Sequence, residues 1–239
     1  MENSDARQAS SDDEEALIEE FKQRPSTFPN IGIDLRGYED EDFARSVGNE
    51  VLAFLTLFGK ILNLERLHKA VVAYDYPETL ASLDRGVETG LTLKPTKDDF
   101  AEGIAMTPAI LVDGEPRSVM VLNAFHMAAL AYPDDPKCTE YRERMIHTLA
   151  HESGHVHDLG MQVKMLPGVV LELKLPRREA ALFSIASGCW DEYIASRLSA
   201  CFGRDFATKD FEETFSSSLE QVTERGDTEI KQYRSLRRE

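Results

Sequence analysis

The stretch His151-Glu152-Ser153-Gly154-His155 has the residue types and spacing of a metal-assisted hydrolytic site, H-E-x-x-H. On an α-helix, residues four apart stand one turn apart on the same face. Two imidazoles at that spacing can reach one cation, and the glutamate between them projects beside it. Zinc suits the set, because imidazole is a good zinc ligand and a catalytic zinc keeps one position for water. Glu152 would then lie close enough to that water to take its proton.

Such a motif works only if a helix carries it. The preceding run, Tyr141 to Ala150, has no proline or glycine and sets Met145, Ile146, Leu149 and Ala150 on one helical stripe. Asp134 or Asp135, ahead of Pro136, is the expected cap, and Gly160 the expected stop. A catalytic zinc also needs a third protein ligand, usually from another element. Glu172, Glu179, the pair Asp191 and Glu192, and the acidic segment beyond Asp205 all offer one. Glu192 is the favoured choice, because its neighbourhood reads as a helix with Trp190, Ile194, Leu198 and Cys201 on an apolar stripe. A carboxylate amid that much apolar surface is costly unless it is paired or binds metal. Ala195 and Ser196 are small enough to let this helix pack closely on the histidine helix. Asp191 competes, but it points about 100° away from Glu192, so the two cannot face the metal equally.

His151 to His155 followed by Glu192-Tyr193-Ile194-Ala195 resembles the gluzincin metallopeptidases. In that family a glutamate on a second helix is the third zinc ligand, often with an alanine three residues later. The likeness is to the small members without a pro-region, the minigluzincins, including the ImmA/IrrE type, and it covers about Val71 to Ser199. Two departures stand out: Ser196 occupies the place of the family's usual Asp or Asn, and the connection from His155 to Glu192 is longer than in compact members. The resemblance implies an α+β, mostly helical zincin-like domain with a small antiparallel or mixed sheet, whose edge strand lies above the zinc. It implies a zinc-dependent hydrolase of peptide bonds, with Glu152 activating water and a peptide or protein as substrate. A regulatory protease acting on one repressor and a non-catalytic zinc-binding domain are the rival expectations.

Residues upstream of the motif add a second signal. Pro108 to Val112, then Asp113-Gly114, then Arg117 to Leu122 reads as a β-hairpin. An exposed strand there could hold an extended peptide by strand addition. Asn123-Ala124 resembles the asparagine-alanine pair that contacts substrate backbone in thermolysin-like enzymes, and reads equally as the turn that ends a core hairpin.

Other polar residues carry two readings each. Asp158 is either the carboxylate that orients a zinc histidine or a helix-end charge. Tyr193 and Arg197 are candidate donors to a developing oxyanion, with packing or ion pairing as the alternative. His147 reads as a core histidine or a spare ligand, whereas His157 falls on the opposite face. His68 and His126 have no partner pattern. Cys138, Cys189 and Cys201 lack a C-x-x-C spacing, which fits a reducing, cytoplasmic setting; Cys189 reads as a small buried thiol or as a group approaching the metal.

With 239 residues and 42% hydrophobic content, one core is expected, with residues 25–239 as a single domain. Residues 1–24 hold eight acidic and three basic side chains and predict a disordered tail. The chain starts without a secretion signal's basic and apolar regions, and no stretch has the length of a membrane span. A net charge of −16 argues against nucleic acid as partner, since phosphate contacts need clustered Lys and Arg. Further helices are expected over Glu41 to Leu62 and Pro77 to Leu83, a strand over Lys69 to Tyr76, and a loop over Gly86 to Asp99. Met161 to Pro176 is expected to link the ligand helices as a loop or extra strand. Phe206, Phe211, Phe215, Leu219 and Val222 predict a closing helix packed on the domain, with a separate charged helix after Gly226.

Overall fold

The computed structural model describes residues 16–87, 92–96, 103–166, 175–202 and 205–236. It is mixed α+β and mostly helical. The order is α1 (16–23), β1 (Ile33–Arg36), α2 (Glu41–Phe58), β2 (Leu67–Ala73), α3 (Tyr76–Ala81), β3 (Ala105–Met106), β4 (Ala109–Val112), β5 (Glu115–Asn123), α4 (Ala124–Met127), α5 (Thr139–Met165), α6 (Arg177–Ser199) and α7 (Asp205–Leu236).

The small sheet is mixed. β1, β2 and β5 run parallel, while β3 and β4 both pair antiparallel with β5 on its far side. β2 and β5 are the inner strands, and their sequences say why: Ala70-Val-Val-Ala73 and Ser118-Val-Met-Val-Leu122 are buried without a break. Such runs suit strands covered on both faces. Alternation then sorts them. Ala70, Val72, Met120 and Leu122 meet Val47, Val51 and Leu55 of α2 and Met145, Leu149 and Val156 of α5. Val71, Ala73, Val119 and Val121 pack on the other face with Tyr76 and Leu80 of α3.

The hairpin forms as its turn demands. Asp113 and Gly114 both have positive φ, 51° and 79°, the backbone that a two-residue turn matched to strand twist requires. Within the sheet the hairpin's long strand β5 is interior; its partner β4 and the short β3 make one margin, and β1 makes the other. The rim of β4 is also partly occupied: Leu111 N–H donates to the Arg85 carbonyl at 2.8 Å, and Arg85 Nε donates to the Ala109 carbonyl at 3.2 Å.

Several helix boundaries differ from the sequence reading. Residues 16–23, expected as disordered tail, are helical; Glu19 and Glu20 pair with Lys22 and Arg24, and Lys60 Nζ donates to the Lys22 carbonyl at 2.6 Å. Residues 1–15 lie outside the described residues. α2 stops at Phe58, where Gly59 caps it. Asp135 does not cap α5, which begins at Thr139; its side chain instead accepts from Lys137 N–H in the preceding turn. α5 also passes through Gly160 to Met165, because Gln162 donates to Asp158 across that glycine at 2.5 Å and ties the two turns together. The expected link is therefore shorter and begins only after Leu166; within it, residues 167–174, with Glu172, lie outside the described residues.

The last helix departs most. α7 runs unbroken through Gly226, supported by pairs such as Arg225–Glu229 at 3.2 Å. Phe215, Leu219 and Val222 are each more than half exposed, where a buried face was expected. The side chains of Phe206 and Phe211 lie outside the described set. Among the described residues no helix is long and apolar enough to cross a membrane.

Candidate metal centre

The motif stands in the middle of α5 with one side in the core. Leu149, Ala150, Ser153, Gly154 and Val156 are buried, which fixes the roll of the helix. His151 and His155 therefore emerge together, with their Nε2 atoms 3.1 Å apart. His157 turns away and accepts from the Asn63 N–H at 2.8 Å, a structural role. His147, one turn before His151, is kept neutral by burial and by His151 and is not among the converging groups. His68 is exposed, and His126 meets Tyr141 at a distance from the motif.

α6 lies antiparallel against α5, and the crossing depends on two small residues. A Cβ added at Gly154 would stand 2.8 Å from Ala195 Cα, closer than atoms can approach, so glycine is required there. Ala195 is itself fully buried. Glu192 precedes Ala195 by about one turn, on the same face. The close crossing thus carries Glu192 to the imidazoles, with Oε2 at 3.4 Å from His151 Nε2 and Oε1 at 3.9 Å from His155 Nε2. Its surroundings differ from the expectation: the side chain is 68% exposed, and Trp190 and Cys201 of the expected stripe face solvent. What brings Glu192 in is the backbone approach at Ala195 rather than an apolar setting.

These three residues pass a fit test for zinc. Bonds of about 2.0–2.1 Å in a tetrahedral arrangement put ligand atoms about 3.3 Å apart. The Nε2–Nε2 spacing of 3.1 Å and the His151 Nε2–Glu192 Oε2 spacing of 3.4 Å lie close to that value, while His155 Nε2 is 3.9 Å from the other carboxylate oxygen, Oε1. One atom from each of His151, His155 and Glu192 lies within 4.8 Å of the others. Glu179, Cys189 and Asp191 are not part of this group, and Cys189 is exposed rather than buried.

Asp191 does something else. Its Oδ1 lies 3.0 Å from His155 Nδ1, an ion-pair distance, although the contact is off the N–H axis. A carboxylate on one ring nitrogen orients the other toward a metal and makes it more basic. Asp158, a candidate for that role or for a helix-end charge, is 5% exposed and accepts from Gln162 Nε2. Adjacent residues thus divide two jobs, Glu192 facing the Nε2 atoms and Asp191 the outer nitrogen.

The electrostatics agree with a cation site. Burial opposes charge on His155, but Asp191, Glu152 and Glu192 outweigh it and raise its pKa to about 9. The His151 hydrogen bond holds the Glu192 carboxyl below its ordinary value against partial burial, helped by the charge of His155. Acidic and imidazole groups therefore converge with positive charge wanted at their centre.

Glu152 is 6% exposed, and its Oε2 accepts from Thr107 Oγ1 at 2.6 Å. Thr107 sits between β3 and β4, so the sheet rim itself holds the carboxylate. Sequence reasoning missed this residue, because nothing in the segment Met106-Thr107-Pro108 signals a contact 45 residues away. Beside Glu152, the buried Tyr76 phenol is pushed above its ordinary pKa by burial and by that carboxylate, so it stays neutral.

The remaining candidates are not among the converging groups. Asn123 ends β5 and caps α4, accepting from the Phe125 N–H at 3.0 Å, and Ala124 is fully buried, so neither lines an open edge. Tyr193 and Arg197 are exposed on α6, Tyr193 with its ring 6.3 Å from Trp190. No protein-family model matches this chain, and neither does any curated protein or solved structure. The likeness to gluzincins is carried by the motif residues alone.

Proposed function

We propose that this chain is a zinc-dependent metallopeptidase of gluzincin type. His151, His155 and Glu192 hold the metal, and Glu152 is the general base. The observation that supports this reading is the convergence of three donor atoms within 4.8 Å, beside a buried carboxylate held by one oxygen. A structural zinc site closes with four protein ligands, and the described residues bring three, leaving a position for reactant.

When bound, zinc supplies Lewis acidity to a peptide carbonyl and acidifies a water. The chain's own residues do the rest. Asp191, 3.0 Å from His155 Nδ1, would favour the proton on that nitrogen once brought into line with it, which would leave Nε2 free to bind the metal. Thr107 holds Glu152 Oε2, which leaves Oε1 to take the water's proton and deliver it to the departing amide nitrogen. A peptide segment would run along the short rim at β3, next to Thr107. A reducing, cytoplasmic setting is part of the same proposal, on the odd number of cysteines and the lack of a C-x-x-C spacing.

Metal analysis of the purified protein together with a peptide cleavage screen tests the proposal. Wild type and Glu152→Gln should each carry one zinc, with hydrolysis lost only in the variant; His155→Ala should lose both. Cleavage surviving in Glu152→Gln would remove the proposed base. Zinc with no cleavage of any peptide by wild type would favour a non-catalytic zinc domain.

A further inference from the structure

β1 and β2 are neighbouring parallel strands, so the chain leaves both at the same end of the sheet. A tyrosine follows each strand closely, Tyr38 after β1 and Tyr74 after β2. Gly37, with φ 76°, makes the turn between β1 and Tyr38, and a Cβ on it would stand 3.3 Å from Tyr74 Cβ. That close turn sets the two tyrosine rings edge to face, with centroids 4.9 Å apart. Phe43 of α2 continues the row at 6.2 Å from Tyr38, and Tyr132 ends it at 6.0 Å from Phe43. The outer rings are open to solvent, Tyr74 42% and Tyr132 48% exposed, while Tyr38 and Phe43 are partly buried and pack on the core.

The charges along this row are mostly of one sign. Asp75 follows Tyr74, Glu39 follows Tyr38, Glu41 stands two residues before Phe43, and Asp134 stands two residues after Tyr132. All four are exposed, and among the described residues no cation lies within ion-pair distance of them. The neighbouring arginines are already held: Arg36 by Asp34 at 2.8 Å and Arg45 by Asp42 at 3.4 Å. Lys137 is the basic residue that follows at the Tyr132 end.

An aromatic face attracts a cation through its quadrupole, and a carboxylate beside it adds a partner for the cation's N–H groups. Guanidinium suits both, because its plane stacks on a ring while its donors point outward. An acidic segment would meet four carboxylates, and a neutral sugar or apolar helix would use the rings and gain nothing from the charge. With one open ring at each end, the row offers places for two cationic side chains of one segment.

We propose that this aromatic row is a docking surface for an arginine-bearing segment of a partner protein, with a guanidinium on each outer ring and a neighbouring carboxylate as its partner. No residue of the metal centre takes part, so the surface stands or falls separately from the metallopeptidase reading.

The test is a titration of the full chain with acetyl-Gly-Arg-Gly-Gly-Arg-Gly-amide, followed by backbone amide NMR. Saturable shifts are expected at Gly37, Tyr38, Tyr74 and Tyr132, lost when both arginines are replaced by glutamate. Tyr74→Leu and Tyr132→Leu keep an apolar surface but remove an aromatic face, and each should raise Kd about two- to fivefold. Should the Tyr74 variant fail to fold, Tyr132→Leu at the other end carries the same reading. Glu39→Gln with Asp75→Asn should also weaken binding and flatten its loss between about 0.05 and 0.5 M salt. Binding that falls with salt but ignores both leucine variants would be diffuse attraction to an acidic protein and would overturn the proposal. So would shifts at these residues with maltohexaose and none with the arginine peptide, or shifts that follow protein concentration alone, which would make a second copy the occupant.

Discussion

α5 and α6 contribute to one site but are held in the molecule by different means. α5 is fixed by a buried stripe, Met145, Leu149, Ala150, Ser153 and Val156, against the sheet and α2. α6 buries only Ala195 and Ser199, and most of its larger apolar side chains face solvent. The imidazoles are therefore positioned by the core, whereas Glu192 is positioned by one close backbone crossing and by charge. A site assembled this way has a core-held half and a half whose placement a bound cation would steady.

The largest effect should come from spoiling the crossing. Gly154→Val would drive α6 off α5, and zinc affinity, read by chelator competition, should fall about a hundredfold while the sheet and α2 keep their hydrogen-exchange protection. Equal loss of protection in both regions would show that the halves are not separable. Next, Asp191→Asn should weaken zinc binding by about ten- to a hundredfold without unfolding the protein, the usual cost of removing a carboxylate behind a ligand histidine. If Asp158→Asn weakened zinc as much, the assignment of the orienting group to α6 would be wrong. Thr107→Val acts on the core-held side: kcat should fall about tenfold with KM and zinc content kept, and Thr107→Ser should restore it. An unchanged kcat would mean that the rim does not position Glu152.

The smallest effect is in pH. In the metal-free protein His155 has its pKa raised from 6.5 to about 9, despite burial, by Asp191, Glu152 and Glu192. Its charged form is stabilised by the fold, so this contribution is complete below about pH 6.5 and disappears as pH rises through 9. The melting temperature of metal-free protein should drop by a few degrees across that window, and the drop should shrink in Asp191→Asn. An identical pH profile in both proteins would contradict the pairing.

The core-held half is also the legible one. H-E-x-x-H is a local pattern, and its helix is marked by the same stripe that seats it, so His151, Glu152 and His155 can be read without long-range information. The hairpin is legible for a like reason, since Asp113-Gly114 fixes its own turn. For Glu192 the sequence points to the right residue through incomplete physics: its setting is open, and Ala195 against Gly154 supplies the proximity. The roles of Asp191 and Thr107 stay hidden because their partners are 36 and 45 residues away along the chain, and single aspartates and threonines carry no periodic signal. β5 reads as a rim strand because periodicity says that a strand exists and not which neighbours flank it. For α7, apolar spacing implies burial, yet Phe215, Leu219 and Val222 are each more than half exposed, so amphipathic pattern alone does not fix the degree of burial.

Arg85 has a bearing on how crowded molecules of this protein behave. Its carbonyl and its guanidinium each engage β4, so the backbone groups at Leu111 and Ala109 are spoken for before another chain arrives. A sheet margin sealed in this manner resists zipping onto a copy of itself, the first step toward fibrous association. On this side of the sheet the two-residue stretch of β3 is left, too short to invite an endless stack.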